Sequence, residues 1–184
     1  MKTIKILSLL TVAATTFMAC SSDDDAPEPV NEEETITTMT VSLVAPGGGT
    51  TVTLQSRDLD GDGPNAPDVT VSGNLAANTT YTGSVVFLNE TESPAEDITE
   101  EVEEEDEEHQ VFYIPTGNIT DITYDDEDGD GNPLGLAFTL ETGDAGNATL
   151  AVTLIHEPKK PNDGTLADAG GEPDFTETFQ ITIE

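Results

Sequence analysis

Apolar and polar residues alternate along most of the chain after residue 35. In the first such stretch, Met39, Val41 and Leu43 alternate with threonine and serine. The same pattern recurs at 52–54, 69–71, 134–140, 150–154 and 175–183, and less regular apolar stretches lie at 79–89, 110–115 and 119–124. Because successive side chains of a strand point to opposite faces of a sheet, this alternation predicts half-buried β-strands.

About nine strands, separated by clusters of Gly, Pro, Asn and Asp, favour an all-β fold over residues 35–184. We predict an antiparallel immunoglobulin-like β-sandwich. One segment near 94–104 has a helical pattern, with Ser93 as the N-cap, Pro94 at the first position, and Ile98 and Val102 on one face. The glutamates that follow place like charges at i,i+4, so this helix is expected to be short and frayed, within a connection.

The N-terminus is typical of an exported protein. Lys2 and Lys5 precede an uncharged apolar stretch that ends at Ala19, so residues 1–19 are predicted to be a signal peptide. Cys20, the only cysteine, follows Ala19 as in the lipobox that this segment resembles, and is the expected lipidation site. The alternative is an ordinary secretory signal with an incidental cysteine. Residues 20–34, rich in acids and Pro, are expected to form a disordered tether.

Charge limits the partners of this chain. It holds 38 acidic residues against five Lys and Arg, two of which lie in the predicted signal peptide. Such a negative chain repels nucleic acid and anionic headgroups, and it attracts cations. With a single cysteine no intramolecular disulfide can form, so packing or bound ions must stabilise the domain.

Three acidic stretches, at 58–68, 100–113 and 155–174, carry a family resemblance. They resemble small acidic envelope lipoproteins of Bacteroidetes and Flavobacteria type, known as type 1 periplasmic binding fold superfamily proteins. The resemblance implies an envelope lipoprotein that binds a ligand, and the family name implies two α/β lobes with parallel sheets. The length of this chain and its few helical patterns favour the β-sandwich instead.

Two loops carry aspartates at alternate positions followed by glycine, a spacing that lets carboxylates converge on calcium. The first contains Asp58, Asp60 and Asp62 before Gly63, with Asp68 further on, and the second contains Asp126, Asp128 and Asp130 before Gly131. Position twelve, where an EF-hand has its bidentate glutamate, holds Val69 and Ala137, so a complete EF-hand is excluded. The alternative is that Asp and Gly only form turns.

The two histidines are candidate ligands for zinc or another transition metal. His109 follows an acidic run at 96–108, and His156 precedes Glu157. Imidazole and carboxylate together suit zinc, copper or iron. If the strands that contain them are antiparallel neighbours, the two rings meet at one rim, close to Glu107, Glu108 and Glu157. The alternative is that both are ordinary surface residues, or that His156 caps the edge of the core.

Enzyme motifs such as G-x-S-x-G and H-E-x-x-H are absent from the sequence, so we expect a protein that is not an enzyme. The expected function is a lipid-anchored outer-membrane protein that captures divalent cations or a metal-bearing ligand, as an accessory to an outer-membrane transporter. It is expected to face the cell surface, with the periplasm as the alternative. The alternative function is an adhesion module in which calcium is purely structural. Lys159 and Lys160, flanked by prolines, are expected to form an exposed turn.

The lipid anchor gives the first testable prediction. Wild-type protein should fractionate with the outer membrane and partition into detergent, because acyl chains on Cys20 bind the bilayer. Cys20→Ala should release the protein in soluble form. Wild-type protein that is found free and unacylated in the periplasm would contradict the prediction.

Overall fold

The computed structural model describes residues 34–61 and 63–184, which form ten strands and two short helices. The strands are β1 Thr38–Val44, β2 Thr51–Arg57, β3 Asp68–Val71, β4 Thr80–Asn89, β5 Glu96–Asp97, β6 His109–Gly117, β7 Ile119–Tyr124, β8 Ala137–Thr142, β9 Gly146–His156 and β10 Glu172–Ile183. The helices are α1 Ile98–Glu104 and α2 Leu166–Ala169. The predicted signal peptide, Cys20 and most of the predicted tether lie outside the described residues.

The strands form two sheets. In the larger sheet the order is β3-β2-β1-β4-β8-β7, with β5 on the end of β4, and in the smaller sheet it is β10-β9-β6. All of these neighbours pair antiparallel. The set β1-β4-β8-β7 opposite β6-β9-β10 has the strand order of the ABED and CFG sheets of an immunoglobulin constant-type domain. The predicted immunoglobulin-like sandwich is therefore confirmed, and β2 and β3 extend its first sheet.

The alternating residues supply the core, as the sequence pattern predicts. Met39, Val41 and Leu43 of β1 are fully buried, and the alternate residues of β9 and β10 pack against the same cluster from the other sheet. Val69 is the exception, because β3 lies at the edge of its sheet and leaves this side chain exposed.

The helix begins later than the sequence pattern predicts. Its N-cap is Asp97, whose carboxylate accepts the N–H of Thr99 at 3.1 Å, rather than Ser93. Residues 96 and 97 instead pair with the end of β4, so an extended segment precedes the helix. Ile98 and Val102 are buried on one helix face, as predicted.

The paired strands of both sheets run antiparallel, so this part of the chain does not have the two parallel-sheet lobes that the family name implies. No helix among the described residues is long and apolar enough to cross a membrane.

Phe138 joins the two sheets. It is fully buried, which stabilises the fold by about 1.5–3 kcal/mol. Its ring packs on Tyr113 of the opposite sheet with centroids 4.1 Å apart. On its own sheet it lies directly opposite Gly83 of β4, and a Cβ at Gly83 would collide with the ring. Glycine at position 83 therefore gives the ring its space.

Gly83→Ala should destabilise the domain by about 1–3 kcal/mol, because the added methyl overpacks the core. Gly73→Ala is the matched control, since its Cβ would meet only Val52 Cγ2 at 3.9 Å, and its effect should stay within about 0.5 kcal/mol. Denaturant unfolding of both variants measures the difference. Equal losses in the two variants would show that Gly83 has no special packing role.

Candidate functional site

Three strand ends of the smaller sheet meet at one rim of the sandwich. β6 begins at His109, β9 ends at His156, and the register pairs these two residues directly. β10 begins on the other side of β9, with Glu172 opposite His156. The imidazole rings stack with centroids 4.7 Å apart. The predicted meeting of the two histidines is confirmed, while the metal itself stays a prediction.

Both histidines point into the sandwich rather than to its surface. His156 shares the parity of the buried Leu150, Val152 and Leu154, and His109 shares the parity of the buried Val111. Their side chains are only 7% and 0% exposed. The two imidazoles therefore continue the core at one end, where a polar side chain normally needs a partner.

A third side chain, Asp174, reaches the same place because of a β-bulge. The pairing of β10 with β9 shifts between Pro173 and Phe175, so Asp174 is the extra residue. A bulge re-aims a side chain, and the carboxylate here faces both rings with 1% exposure. One ligand atom from each of His109, His156 and Asp174 can be chosen so that all lie within 4.8 Å of one another.

The contacts inside this cluster are too long for hydrogen bonds. His109 Nε2 lies 3.8 Å from Asp174 Oδ2, and His156 Nδ1 lies 3.9 Å from Asp174 Oδ1. Neither of these buried ring nitrogens has a hydrogen-bond partner among the described residues. Hydrogen bonds from nitrogen to oxygen measure about 2.7–3.2 Å. The spacing instead leaves room for an atom between the rings and the carboxylate.

The tautomer of His109 is determined by the helix end. Its Nδ1–H donates to the carbonyl oxygen of Glu105 at 3.2 Å. Glu105 is the C-cap residue of α1. Nε2 of the neutral ring is then the nitrogen with the lone pair. Burial lowers the pKa of His109, and the neighbouring His156 lowers it further, against the opposing effect of the Glu105 carbonyl. The neutral form, which is the metal-binding form, is therefore favoured.

Carboxylates crowd the other side of the cluster. Burial raises the pKa of Glu34 to about 7, and a hydrogen bond with Glu101 and the charges of Glu101, Asp174 and Glu105 raise it in the same direction. Three carboxylates, those of Glu101, Asp174 and Glu105, therefore disfavour the charged form of Glu34.

Gly171 allows β10 to begin beside the site. Its φ is +70°, and a Cβ there would collide with the backbone oxygen of His156 and lie 2.7 Å from Ile155 Cγ2. Any other residue would both strain the backbone and push β10 away from the end of β9. The position of Asp174 therefore depends on this glycine.

A second ligand group lies outside the first and shares His156 with it. It consists of His156, Glu108 and Glu157, and His156 Nε2 is 3.9 Å from Glu108 Oε2. Both glutamates are exposed. The predicted proximity of Glu108 and Glu157 is confirmed, whereas Glu107 belongs to neither group.

Lys160 connects the second aspartate loop to the histidine site. The ammonium of Lys160 donates to the backbone oxygens of Asp106 and His109, each at 2.5 Å, and to Asp128 Oδ2 at 3.1 Å. Both side chains of this ion pair are buried. Lys160 is therefore not in an exposed turn as predicted, because its charge is used inside the domain, while Lys159 is exposed.

The carboxylates of this second loop already have donors. Asp126 accepts the N–H groups of Gly135 and Ala137, and Asp128 accepts those of Asp130 and Asn132. Burial alone raises the pKa of Asp128, but the Asn132 and Lys160 hydrogen bonds outweigh it, so this pKa is lowered. The ionised Asp128 therefore adds stability above the unfolded-state pKa, which is lost as the pH falls through the folded-state pKa.

The first aspartate loop is more open. Asp58 Oδ1 accepts the N–H of Asp60, and Asp60 Oδ2 accepts the side-chain amide of Asn65 at 2.6 Å. Asp68 pairs in register with Arg57. Asp62 lies outside the described residues. No group of three candidate ligands forms at either loop within 34–61 and 63–184, and calcium at these loops stays a prediction.

Asp174 is the member of this cluster that the sequence did not predict. It is one of 38 acids, and its place on β10 follows from a bulge that the alternation does not show. The pair Gly170-Gly171 with Pro173 just before a clear strand pattern was the available signal, since such residues mark irregular strand starts.

Lys160→Met should destabilise the domain by about 3–5 kcal/mol, because it leaves the carboxylate of Asp128 buried without its cation. Lys159→Met is the matched control. It breaks an exposed pair with Asp168 and should cost less than about 1 kcal/mol. Thermal unfolding of both variants compares them. A small effect at Lys160 would contradict the structural role given to its ammonium.

Comparisons with known proteins add no relative to this description. No family model, no curated protein and no solved structure matches the chain. The functional argument therefore depends on the geometry and chemistry of the residues themselves.

Proposed function

We propose that this domain binds a divalent transition-metal ion between His109 Nε2, His156 Nδ1 and the carboxylate of Asp174, as a metal-capture protein of the cell envelope. The observation that carries the proposal is the pair of buried imidazole nitrogens that make no hydrogen bond and face one carboxylate. The lone pair on His109 Nε2 is repelled by the carboxylate oxygen that it faces, and a cation between the two atoms turns this contact into an attraction.

The distances support a shared ion. Two ligands of one zinc ion lie at most about 4.1 Å apart, twice the zinc–nitrogen bond length. The two nitrogen–oxygen separations of 3.8 and 3.9 Å are below that limit. The three ligand atoms lie within 4.8 Å of one another, so a bound ion would draw the group together to the shorter spacing of a tetrahedral site.

The surroundings support a cation of this type. Two imidazoles and one carboxylate suit zinc, copper or iron better than calcium, which prefers oxygen ligands. The Nδ1–H of His109 is bonded to a backbone carbonyl, as is usual for histidines that bind metals. The carboxylates of Glu101 and Glu105, which with Asp174 raise the pKa of Glu34, add attraction for a cation at longer range.

Burial favours binding over catalysis. The same donor set holds iron in oxygenases, where open coordination positions face a substrate. Here the ligand side chains are almost fully buried, so substrate has no direct access to the ion. We therefore propose a protein that is not an enzyme, tethered through Cys20 and passing its ion to an outer-membrane transporter. The strongly acidic composition supports this role, since it concentrates cations near the domain.

The test is calorimetric titration of the purified, metal-stripped protein with zinc. Asp174→Asn keeps the size of the side chain and removes its charge, and a His109→Ala/His156→Ala double variant removes both imidazoles. Affinity should fall at least about 100-fold in each, because loss of a ligand costs more than the 10–100-fold cost of losing a ligand's supporting hydrogen bond. Glu141→Gln changes an exposed acid on β8 of the larger sheet, so it is the control and should bind as wild type does.

Zinc should also stabilise wild-type protein against unfolding. At a free concentration a hundred times its dissociation constant, the gain is about 2.7 kcal/mol, because only the folded state holds the three ligands together. Asp174→Asn should lose this gain. If wild type and all variants bind equally weakly, the acidic surface alone is responsible and the proposed site does not exist.

A further inference from the structure

His156 faces a ligand group on each side of its ring. Nδ1 points inward to Asp174, in the inner group with His109, and Nε2 points outward to Glu108, in the outer group with Glu157. The two groups differ in access to solvent, since Glu108 is 60% exposed and the inner ligands are buried. The outer group is therefore the one that an ion in solvent can reach directly.

From this geometry we infer that His156 passes a divalent cation between two positions, an outer loading position with Glu108 and Glu157 and an inner holding position with His109 and Asp174. The inference deepens the proposed function and depends on the inner site. It assigns the outer glutamates to the rate of loading and release, and the inner ligands to affinity.

The number of lone pairs on the ring makes the two positions exclusive. A neutral imidazole has one N–H and one lone pair, so His156 can bind an ion through Nδ1 or through Nε2, not through both. With the ion outside, the ring proton is on Nδ1 and faces Asp174. With the ion inside, the proton is on Nε2 and faces Glu108. Each move of the ion therefore removes a proton from the nitrogen that it reaches and returns one, through water, to the nitrogen that it leaves, so the ring carries one proton in both states.

The other histidine has no such freedom. His109 Nδ1–H is bonded to the Glu105 carbonyl, so its Nε2 always presents the lone pair to the inner position. Neither ring nitrogen of His156 makes a hydrogen bond within the described residues. One imidazole is therefore fixed and the other can exchange its tautomer, as a transfer between two positions requires.

The backbone that holds the outer group in place is strained at Glu157. Glu157 has a φ of +50°, a left-handed conformation that glycine adopts more easily than glutamate. Its N–H donates to the carbonyl oxygen of Glu108 at 2.7 Å, which continues the β6–β9 pairing past the histidines. This bond keeps the two glutamates together beside His156. Glycine would be less strained than glutamate at position 157. The presence of a glutamate there supports a role for its negative charge.

The experiment measures stoichiometry, affinity and loading rate of zinc on the full protein, using stopped-flow competition with a chromogenic chelator. The test variant is Glu108→Gln/Glu157→Gln. The control variant, Glu103→Gln/Glu104→Gln, removes the same charge from exposed positions on α1. We expect one ion per chain, and loading and release in the test variant slowed at least about tenfold, within the range by which local charge changes association rates. Affinity should stay within about threefold of wild type, since the inner ligands are unchanged.

Each other outcome overturns a different claim. Two ions per chain would overturn exclusive use of His156, and unchanged rates in the test variant would overturn the loading role. Equal slowing in the control would assign the effect to net charge alone. If wild-type protein binds no zinc, the inner site itself is wrong, and the proposed function fails together with this inference.

Discussion

The structure depends on the antiparallel pairing of β9 with β6 on one side and β10 on the other. This pairing places the first residue of β6 opposite the last residue of β9, and it brings the start of β10 to the same rim. The core residues of all three strands face the larger sheet, so the histidines that share their parity also point inward. A slip of one residue in either register would turn an imidazole to the opposite face of the sheet, where Phe112 and Ile155 form a separate cluster. Fold and candidate metal site are therefore products of the same hydrogen-bonded ladder.

Negative charge is the second constraint on this molecule, and its few basic side chains pair with acidic ones. The three basic residues of the described chain, Arg57, Lys159 and Lys160, each lie in an ion pair. Only Lys160 is buried, and it connects Asp128 to the backbone just before and at His109. The ammonium of Lys160 therefore neutralises a buried carboxylate and stabilises the start of β6 at the same time.

The sequence by itself determined the fold class, because burial of one strand face requires alternation, and alternation is visible in the printed residues. Met39, Val41 and Leu43 were correctly placed in the core on this ground. The conditional meeting of His109 and His156 was also predictable, since each lies at the end of a strand pattern. Local propensity was a less reliable guide to the start of the helix, because strand pairing competed with it. Ser93 and Pro94 have the pattern of a helix start, but the short strand β5 follows them and the helix begins after it.

Only the tertiary structure decided the rest of the site. Asp174 joins the histidines through a bulge, and a bulge changes which face a residue occupies without changing the residue pattern. The burial of Lys160 and the shared use of His156 by two ligand groups likewise depend on contacts between segments distant in sequence. One acid among 38 has no local mark that distinguishes a ligand from a solvated side chain. Its role is set by which atoms the folded chain brings within a few ångströms of it.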